Sequence, residues 1–275
     1  MIIMICNIVG KEYIPQLKEL WKDCYPEDSS DYIDMFFNEA FPKIKCVAGL
    51  DNNKIIGVIY LFPCTILDGM PAFYFYAGAV FRSLRGNGYY RKIIDFAIKH
   101  SRDMGREFVC HPLPHLIDFY ENMGFTEKYY HAQLSYNLTD IKSKIKFKMV
   151  DLTAQEAFTM MRKTAGRGYI LWDSEIMDYI LMDYKFINGI CRKIIVNDKE
   201  EYYIFARKET DCIKITETSM PPKLIKEFAN ELINEYNGNK LTAQVFLNEG
   251  DEKHLSCVSS KHIDSSTKWF TLIMF

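Results

Sequence analysis

Arg85, Gly86, Asn87 and Gly88 stand between an aromatic run, Phe73–Phe81, and a stretch in which Tyr90, Ile93, Ile94, Ala97 and Ile98 recur at helical spacing. Strand, glycine-punctuated turn and helix together can hold a diphosphate. Gly86 and Gly88 let the backbone approach a ligand closely. The unpaired N–H groups of the first helical turn, with the helix dipole, point at negative charge. Arg85 adds a fixed positive charge with several donors. Arg91, Lys92, Asp95 and Lys99 face away from the apolar stripe. A Gly-x-Gly pair by itself marks a plain turn more often than a binding loop, so the elements around it must decide.

Those elements continue in order. The amphipathic helix ends near Gly105, Glu107–His111 reads as a short buried strand, and Pro112 opens a second helix with Leu113, Leu116, Ile117 and Tyr120 on one face, ended by Gly124. Before the loop, residues 11–24 and Ser30–Phe41 have helical spacing, with Ser29 or Ser30 as a cap. Met1–Asn7 reads as a first strand. Lys43–Leu50 and Ile55–Leu67 flank the hairpin signal Asp51–Lys54, and Asp68-Gly69 turns into the strand that reaches Phe81. A strand pair is expected near Glu127–Leu138.

With Tyr120, Gly124 and Phe125 in a Tyr-x-x-x-Gly-Phe pattern after Arg85-Gly-Asn-Gly88, the first half of the chain resembles the GCN5-related N-acetyltransferases (GNAT). The pattern of that family is [Arg/Gln]-x-x-Gly-x-[Gly/Ala], and Tyr90 stands where it has a small residue. The resemblance implies an α+β GNAT fold, a mixed and mostly antiparallel sheet with flanking helices. It implies acetyl-CoA as co-substrate, bound along Ala79, Val80 and Phe81 where two strands splay, with its diphosphate on Arg85, Gly86, Asn87, Gly88, Tyr89 and Tyr90.

Acetyl transfer to an amine needs a neutral attacking amine, a polarised carbonyl and a proton for the leaving thiolate, and orientation supplies much of the rate. A backbone N–H near Val80 is the carbonyl donor. Tyr120 is the candidate acid, since a phenol with a pKa near ~10 holds its proton at neutral pH. On spacing alone Tyr120 would be one core aromatic among 18 tyrosines; the family pattern gives it the role. The strand Ala72–Ala79 has no carboxylate to act as base. His111 or His115 could serve, alone or through water, although a lone histidine is more often packed or solvated. Tyr74 and Tyr76 could line an acceptor cleft or simply fill the core. Glu27 and Asp28 would suit a cationic acceptor, but a solvated loop is the preferred reading.

The second half repeats the order coarsely. The expected division is a catalytic domain at 1–138, a polar linker at 139–146 and a second domain at 147–275. Ile145–Val150 alternates as a strand, helical patterns follow near Ala154–Lys163 and Ser174–Lys185, and strands near Ile190–Val196, Glu201–Arg207 and Cys212–Thr216. Pro221-Pro222 precedes a helix near Leu224–Tyr236, and strands are expected near Leu241–Leu247 and Trp269–Phe275. Where the loop would sit, Thr216–Pro222 has no glycine and carries Glu217, so the half reads as a degenerate copy with no diphosphate site, or as an unrelated α+β domain. Gly166 and Gly168 follow no strand and read as a loop.

This layout resembles the tandem enhanced-intracellular-survival type of aminoglycoside acetyltransferase, without its third domain. In those relatives the terminal carboxylate reaches the first active site, so the carboxylate of Phe275, at the end of an apolar run, is a second catalytic candidate; the alternative is a last strand ending at its sheet edge.

Composition excludes more than it proposes. A net charge of −2 gives no reason for nucleic acid or an anionic membrane as partner, and no stretch is long enough to span a bilayer. Met1–Asn7 lacks the basic region and cleavage site of a signal peptide. Eight cysteines without a Cys-x-x-Cys pair argue for reduced core thiols, against a zinc site, and for a cytoplasmic protein. The sequence thus reads as an acetyl-CoA-dependent N-acetyltransferase without metal, acting on a small-molecule or peptide amine. The alternatives are an acyl-CoA sensor without turnover and a tandem aminoacyl transferase, against which the Arg-Gly-Asn-Gly loop argues. Neither the acceptor nor the oligomeric state can be read from it.

Overall fold

A computed structural model describes residues 3–66, 69–125, 127–139, 143–164, 170–245 and 251–259. They form two compact units. One holds the chain up to Glu127 together with Val258 and Ser259; the other holds Lys128–Cys257.

The first unit runs β1 (Ile5–Ile8), α1 (Ile14–Cys24), α2 (Ser30–Met35), β2 (Lys45–Asp51), β3 (Lys54–Ile66), β4 (Met70–Val80), α3 (Tyr89–Asp103), β5 (Glu107–Cys110) and α4 (Ile117–Glu121). The Ser29 hydroxyl caps α2 by accepting from Tyr32 N at 3.1 Å. The sheet order is β1-β2-β3-β4-β5. Every pairing is antiparallel except β4 with β5. From Ile55 to Phe62, β3 is an unbroken apolar run, and its large side chains are all buried, as expected for a strand covered on both faces. Tyr60 and Phe62 meet Phe36, while Gly57 lies against Ile93 of α3. Helix α3 buries Ile93, Ile94, Ala97 and Ile98, the stripe its spacing marks out.

The second unit runs β6 (Glu127–Asn137), β7 (Phe147–Asp151), α5 (Ala154–Thr164), the two-residue β8 (Leu171–Trp172), α6 (Ser174–Phe186), β9 (Ile190–Val196), β10 (Glu200–Glu209), β11 (Cys212–Thr218), α7 (Pro222–Glu235), β12 (Lys240–Val245) and β13 (His254–Ser259), of which Glu127 at one end and Val258 and Ser259 at the other belong to the first unit. Its sheet order is β6-β12-β11-β10-β9-β7. Again one pair, β11 with β12, is parallel and is joined through a helix, α7. Ile194, Ile204, Ile215, Phe228 and Leu232 are at the centre of its core. The GNAT architecture expected of the chain, mixed sheets with flanking helices in two units, is the one observed.

Three local readings change. The strand pair expected near Glu127–Leu138 is one strand, β6, because no turn residue interrupts it; it pairs with β12 of the second unit. Val258 and Ser259, which no reading marked as strand, pair with Cys110 and Val109 of β5. Pro112 does not open a helix: Pro114 forces Leu113 into an extended conformation (φ −60°, ψ 145°), and α4 starts only at Ile117 after a single 3₁₀ turn. The Gly166–Gly168 loop and the Trp269–Phe275 strand with its terminal carboxylate lie outside the described residues.

A Cβ added to Gly57 would lie 2.6 Å from the Ala79 carbonyl and 2.9 Å from Ile93 Cδ1. We expect Gly57→Ala to cost about 1–3 kcal/mol through overpacking and to lower the urea midpoint without changing the slope. An unchanged midpoint would refute this account of the β3–β4–α3 contact.

Candidate active site

The parallel pairing of β4 with β5 covers only Ala72, Phe73 and Tyr74, opposite Glu107, Phe108 and Val109. Beyond Tyr74, β4 runs on to Val80 while β5 ends at Cys110. The cause is a bulge: the register against β3 shifts between Val58 and Tyr60, so that Ala77 and Gly78 together stand opposite Ile59, one extra residue on β4. Ala77 takes φ +44°, a left-handed conformation rare for a residue with a Cβ. Phe81 N–H donates to Ile56 O at 3.1 Å. Successive N–H groups of a strand alternate in direction, so the Val80 N–H turns away from β3 towards the gap.

Three consecutive residues at the end of α1 hold this segment. Asp23 Oδ2 accepts from Arg82 N at 2.8 Å, the Cys24 thiol donates to Val80 O at 3.3 Å, and the Tyr25 hydroxyl donates to Gly78 O at 3.1 Å. Burial pushes the Cys24 thiol up and the Tyr25 phenol up to about 12, so both keep their protons at neutral pH. Arg85 Nε also donates to Val80 O, at 3.2 Å.

A cavity of about 500 Å³ opens at this point. Gly78, Ala79 and Val80 form one wall. Arg85, Gly86 and Gly88 close one end, and Tyr89, Tyr90 and Arg91 of the first turn of α3 continue it. Leu113, His115, Leu116 and Phe119 complete the lining. Gly86 (φ +81°) and Gly88 (φ +73°) are left-handed, and a Cβ at either would meet only open space; their backbone is bare towards solvent, as a phosphate cradle requires. No carboxylate lines the cavity among the described residues, whereas two guanidinium groups do. The donor set therefore fits a diphosphate.

Of the residues the sequence singled out, Ala79, Val80, Arg85, Gly86, Gly88, Tyr89 and Tyr90 line this cavity. Phe81 and Asn87 do not: the Phe81 N–H is held by β3, and the Asn87 amide donates to Leu84 O and Arg85 O, which closes the turn. Tyr120 is only 3% exposed and sits behind Tyr90, with the two hydroxyls 3.2 Å apart. His115 lines the cavity and His111 does not. The Tyr76 hydroxyl lies 3.2 Å from that of Tyr32, and Asp28 accepts from Trp21 Nε1 at 2.7 Å, so Asp28 is a structural brace rather than a loose acid. Sequence reasoning passed over Arg91, which it placed on the solvent face, and the Asp23-Cys24-Tyr25 triplet. Their cue was position alone, in a first helical turn and at a helix end.

The site is thus a short strand–turn–helix anion cradle beside two splayed parallel strands. Residues 7–127 match the family model described as an acetyltransferase (GNAT) domain, and the first unit is a domain of that family. Among solved structures, a conserved protein of Enterococcus faecalis described as a probable N-acyltransferase is 12% identical, with a TM-score of 0.71 over 93% of this chain and 71% of that one. Eis1 from Mycobacterium abscessus is 9% identical, with a TM-score of 0.62 over 87% of this chain and 65% of that one. A tandem GNAT protein from the clavulanic acid biosynthesis pathway is 10% identical, with a TM-score of 0.53 over 95% and 100%. At such identities these likenesses speak for the fold, and they extend it over both units. No curated protein matches the chain in sequence.

Arg85→Glu removes the brace on Val80 and turns a cation at the cradle into an anion. CoA affinity should fall well over tenfold, since a charge-assisted contact is worth roughly 1.5–3 kcal/mol and reversal adds repulsion. Calorimetry that finds the affinity unchanged would remove Arg85 from the binding loop.

Proposed function

We propose that the first unit transfers an acetyl group from acetyl-CoA to an amine within a ternary complex. The observation that carries this reading is the cavity that joins the Arg85–Gly88 cradle to the open edge of β4 at Gly78–Val80. The diphosphate would lie on the cradle and the thioester beside Val80, whose N–H faces the gap and could polarise the carbonyl. The residues of this chain bind, orient and exclude water; the thioester supplies the activated acyl group. Tyr90 lines the cavity with the Tyr120 hydroxyl 3.2 Å behind its own, and burial keeps both phenols protonated, so this pair is the proton source for the leaving sulfur. His115 is the cavity-lining candidate for a base acting through water. No helix among the described residues is long and apolar enough to cross a membrane, and a cytoplasmic enzyme acting on a small-molecule or peptide amine fits the composition.

The second unit would not bind acyl-CoA. At the equivalent end of β11, Glu217 is fully buried and accepts from the Tyr203 hydroxyl at 2.8 Å. The Thr218 hydroxyl donates to Tyr203 O and accepts from Met220 N, and α7 begins directly at Pro222. No glycine loop intervenes, and a buried carboxylate would repel a diphosphate.

The test is release of free thiol from acetyl-CoA with a panel of primary amines, from small diamines to lysine peptides, beside a calorimetric titration. We expect amine-dependent thiol release and one CoA per chain. Binding without release across the panel would favour an acyl-CoA sensor. Two equivalent sites would show that the second unit is not degenerate.

A further inference from the structure

Tyr90 is the one residue of the cradle that departs from the family pattern, and its ring occupies a specific place. It stacks on Phe119 at 5.8 Å between centroids with 25° between planes, and tilts against Phe75 at 6.4 Å. Its hydroxyl reaches over the backbone of Gly78, where an added Cβ would stand only 2.4 Å from it. Gly78 thus makes room for the hydroxyl, next to Ala79 and Val80 on the same cavity wall. Tyr120, by contrast, is buried under Phe75 and Phe125 and does not line the cavity.

Other donors at the end of β4 are committed. The Tyr25 hydroxyl gives its proton to Gly78 O, and the Cys24 thiol and Arg85 Nε give theirs to Val80 O. Between the two phenols the direction of donation decides which proton faces the cavity. A hydroxyl has one proton to give. If Tyr120 donates to the Tyr90 oxygen, the Tyr90 proton is left for the cavity. Burial is the main cause that holds both phenols up. Of the two, Tyr90 lines the cavity and Tyr120 does not, so donation from Tyr120 is the direction that leaves a proton facing it. The other titratable neighbours that bear on Tyr90 are Tyr25 of α1 and Cys110 of β5, both raised by burial and neutral.

We propose that Tyr90, not Tyr120, presents its O–H to the leaving sulfur, and that Tyr120 is a positioning residue that hydrogen-bonds the Tyr90 oxygen from behind. The inference rests on the acetyl-transfer reading. As the amine nitrogen bonds to the carbonyl carbon, the C–S bond breaks and its electron pair goes to sulfur. Sulfur takes the Tyr90 proton, giving the CoA thiol and a phenolate that the Tyr120 hydrogen bond stabilises. The phenolate regains a proton from water at the cavity mouth, where the proton lost by the amine has gone. Burial disfavours thiolate as it disfavours phenolate, so the two remain matched in the same cavity.

The test needs no acceptor. CoA bound to the protein is titrated by ultraviolet difference absorbance of its thiolate, for the wild type, Tyr90→Phe and Tyr120→Phe, after thermal melts establish folding. A phenol that donates to sulfur favours thiolate, so Tyr90→Phe should lower the bound thiolate-to-thiol ratio at fixed pH by about tenfold, one pKa unit. Tyr120→Phe, acting only through Tyr90, should lower it less than about threefold. If Tyr90→Phe does not fold, Tyr120→Phe decides alone, because a direct donor at Tyr120 would give the full tenfold loss. An unchanged ratio in folded Tyr90→Phe, or a larger loss in Tyr120→Phe, overturns the inference and leaves acetyl transfer standing. A wild type that binds no CoA overturns both.

Discussion

Three side chains in a row at the end of α1, from Asp23, Cys24 and Tyr25, bond the backbone of β4 and the turn after it at Arg82 N, Val80 O and Gly78 O. Without these partners the segment past the bulge would be hard to keep. Ala77 is in a left-handed conformation, and β4 has lost its β5 neighbour, so unpaired backbone would face the gap. The helix end supplies part of what the missing strand does not, and it does so without filling the gap. The cavity follows from that substitution. A strand that has one neighbour and a helix end in place of the other keeps an edge exposed to a ligand.

The same constraint explains how much could be read from residues alone. The strand–turn–helix frame was legible because it rests on periodicity and on glycines whose φ values are +81° and +73°. The apolar stripe of α3 was legible for the same reason. The triplet was not, because Asp, Cys and Tyr at a helix end have no spacing rule; their roles depend on which backbone lies 3 Å away. Strand assignment failed in a similar manner. The alternation of β6 marks a strand but does not name its partner, and β6 pairs with β12, more than a hundred residues downstream in the chain. Val258 and Ser259 are two residues long as a pairing and carry no pattern. Pairing over such separations is decided by tertiary packing, which periodicity does not encode.

The two units build the same motif and differ at the turn that precedes its helix. Each joins a parallel strand pair through a helix, α3 in one and α7 in the other. In the first, two left-handed glycines stand before the helix and the preceding segment is bulged. In the second, β11 also has an extra residue, Thr216, yet β10 and β11 pair on as far as Ile204 with Thr218, Thr218 closes the turn with its own hydroxyl, and a proline begins α7. Core positions are conserved in kind between these solutions, since Ile, Leu and Phe fill both. What distinguishes them is a handful of backbone conformations and one buried carboxylate, Glu217.

Gly78 and Tyr90 show that a departure from a pattern is best judged with its spatial partner. Taken alone, Gly78 weakens a strand and Tyr90 crowds a turn that ordinarily has a small residue. Together they are complementary: the volume missing at Gly78 is the volume into which the Tyr90 hydroxyl projects, 2.4 Å from where a Cβ would be. The ring then has a fixed position, stacked on Phe119 and set against Phe75. A bulky side chain at that point of the turn is compatible with the cradle because a diphosphate there would be held by backbone N–H groups and Arg85, not by the side chain at this position. The pattern therefore tolerates exchange at Tyr90 more readily than at Gly86 or Gly88, where the φ values themselves exclude a Cβ without strain. Moving bulk from the strand to the helix leaves the cradle intact and brings a hydroxyl to the wall where the acyl group would lie.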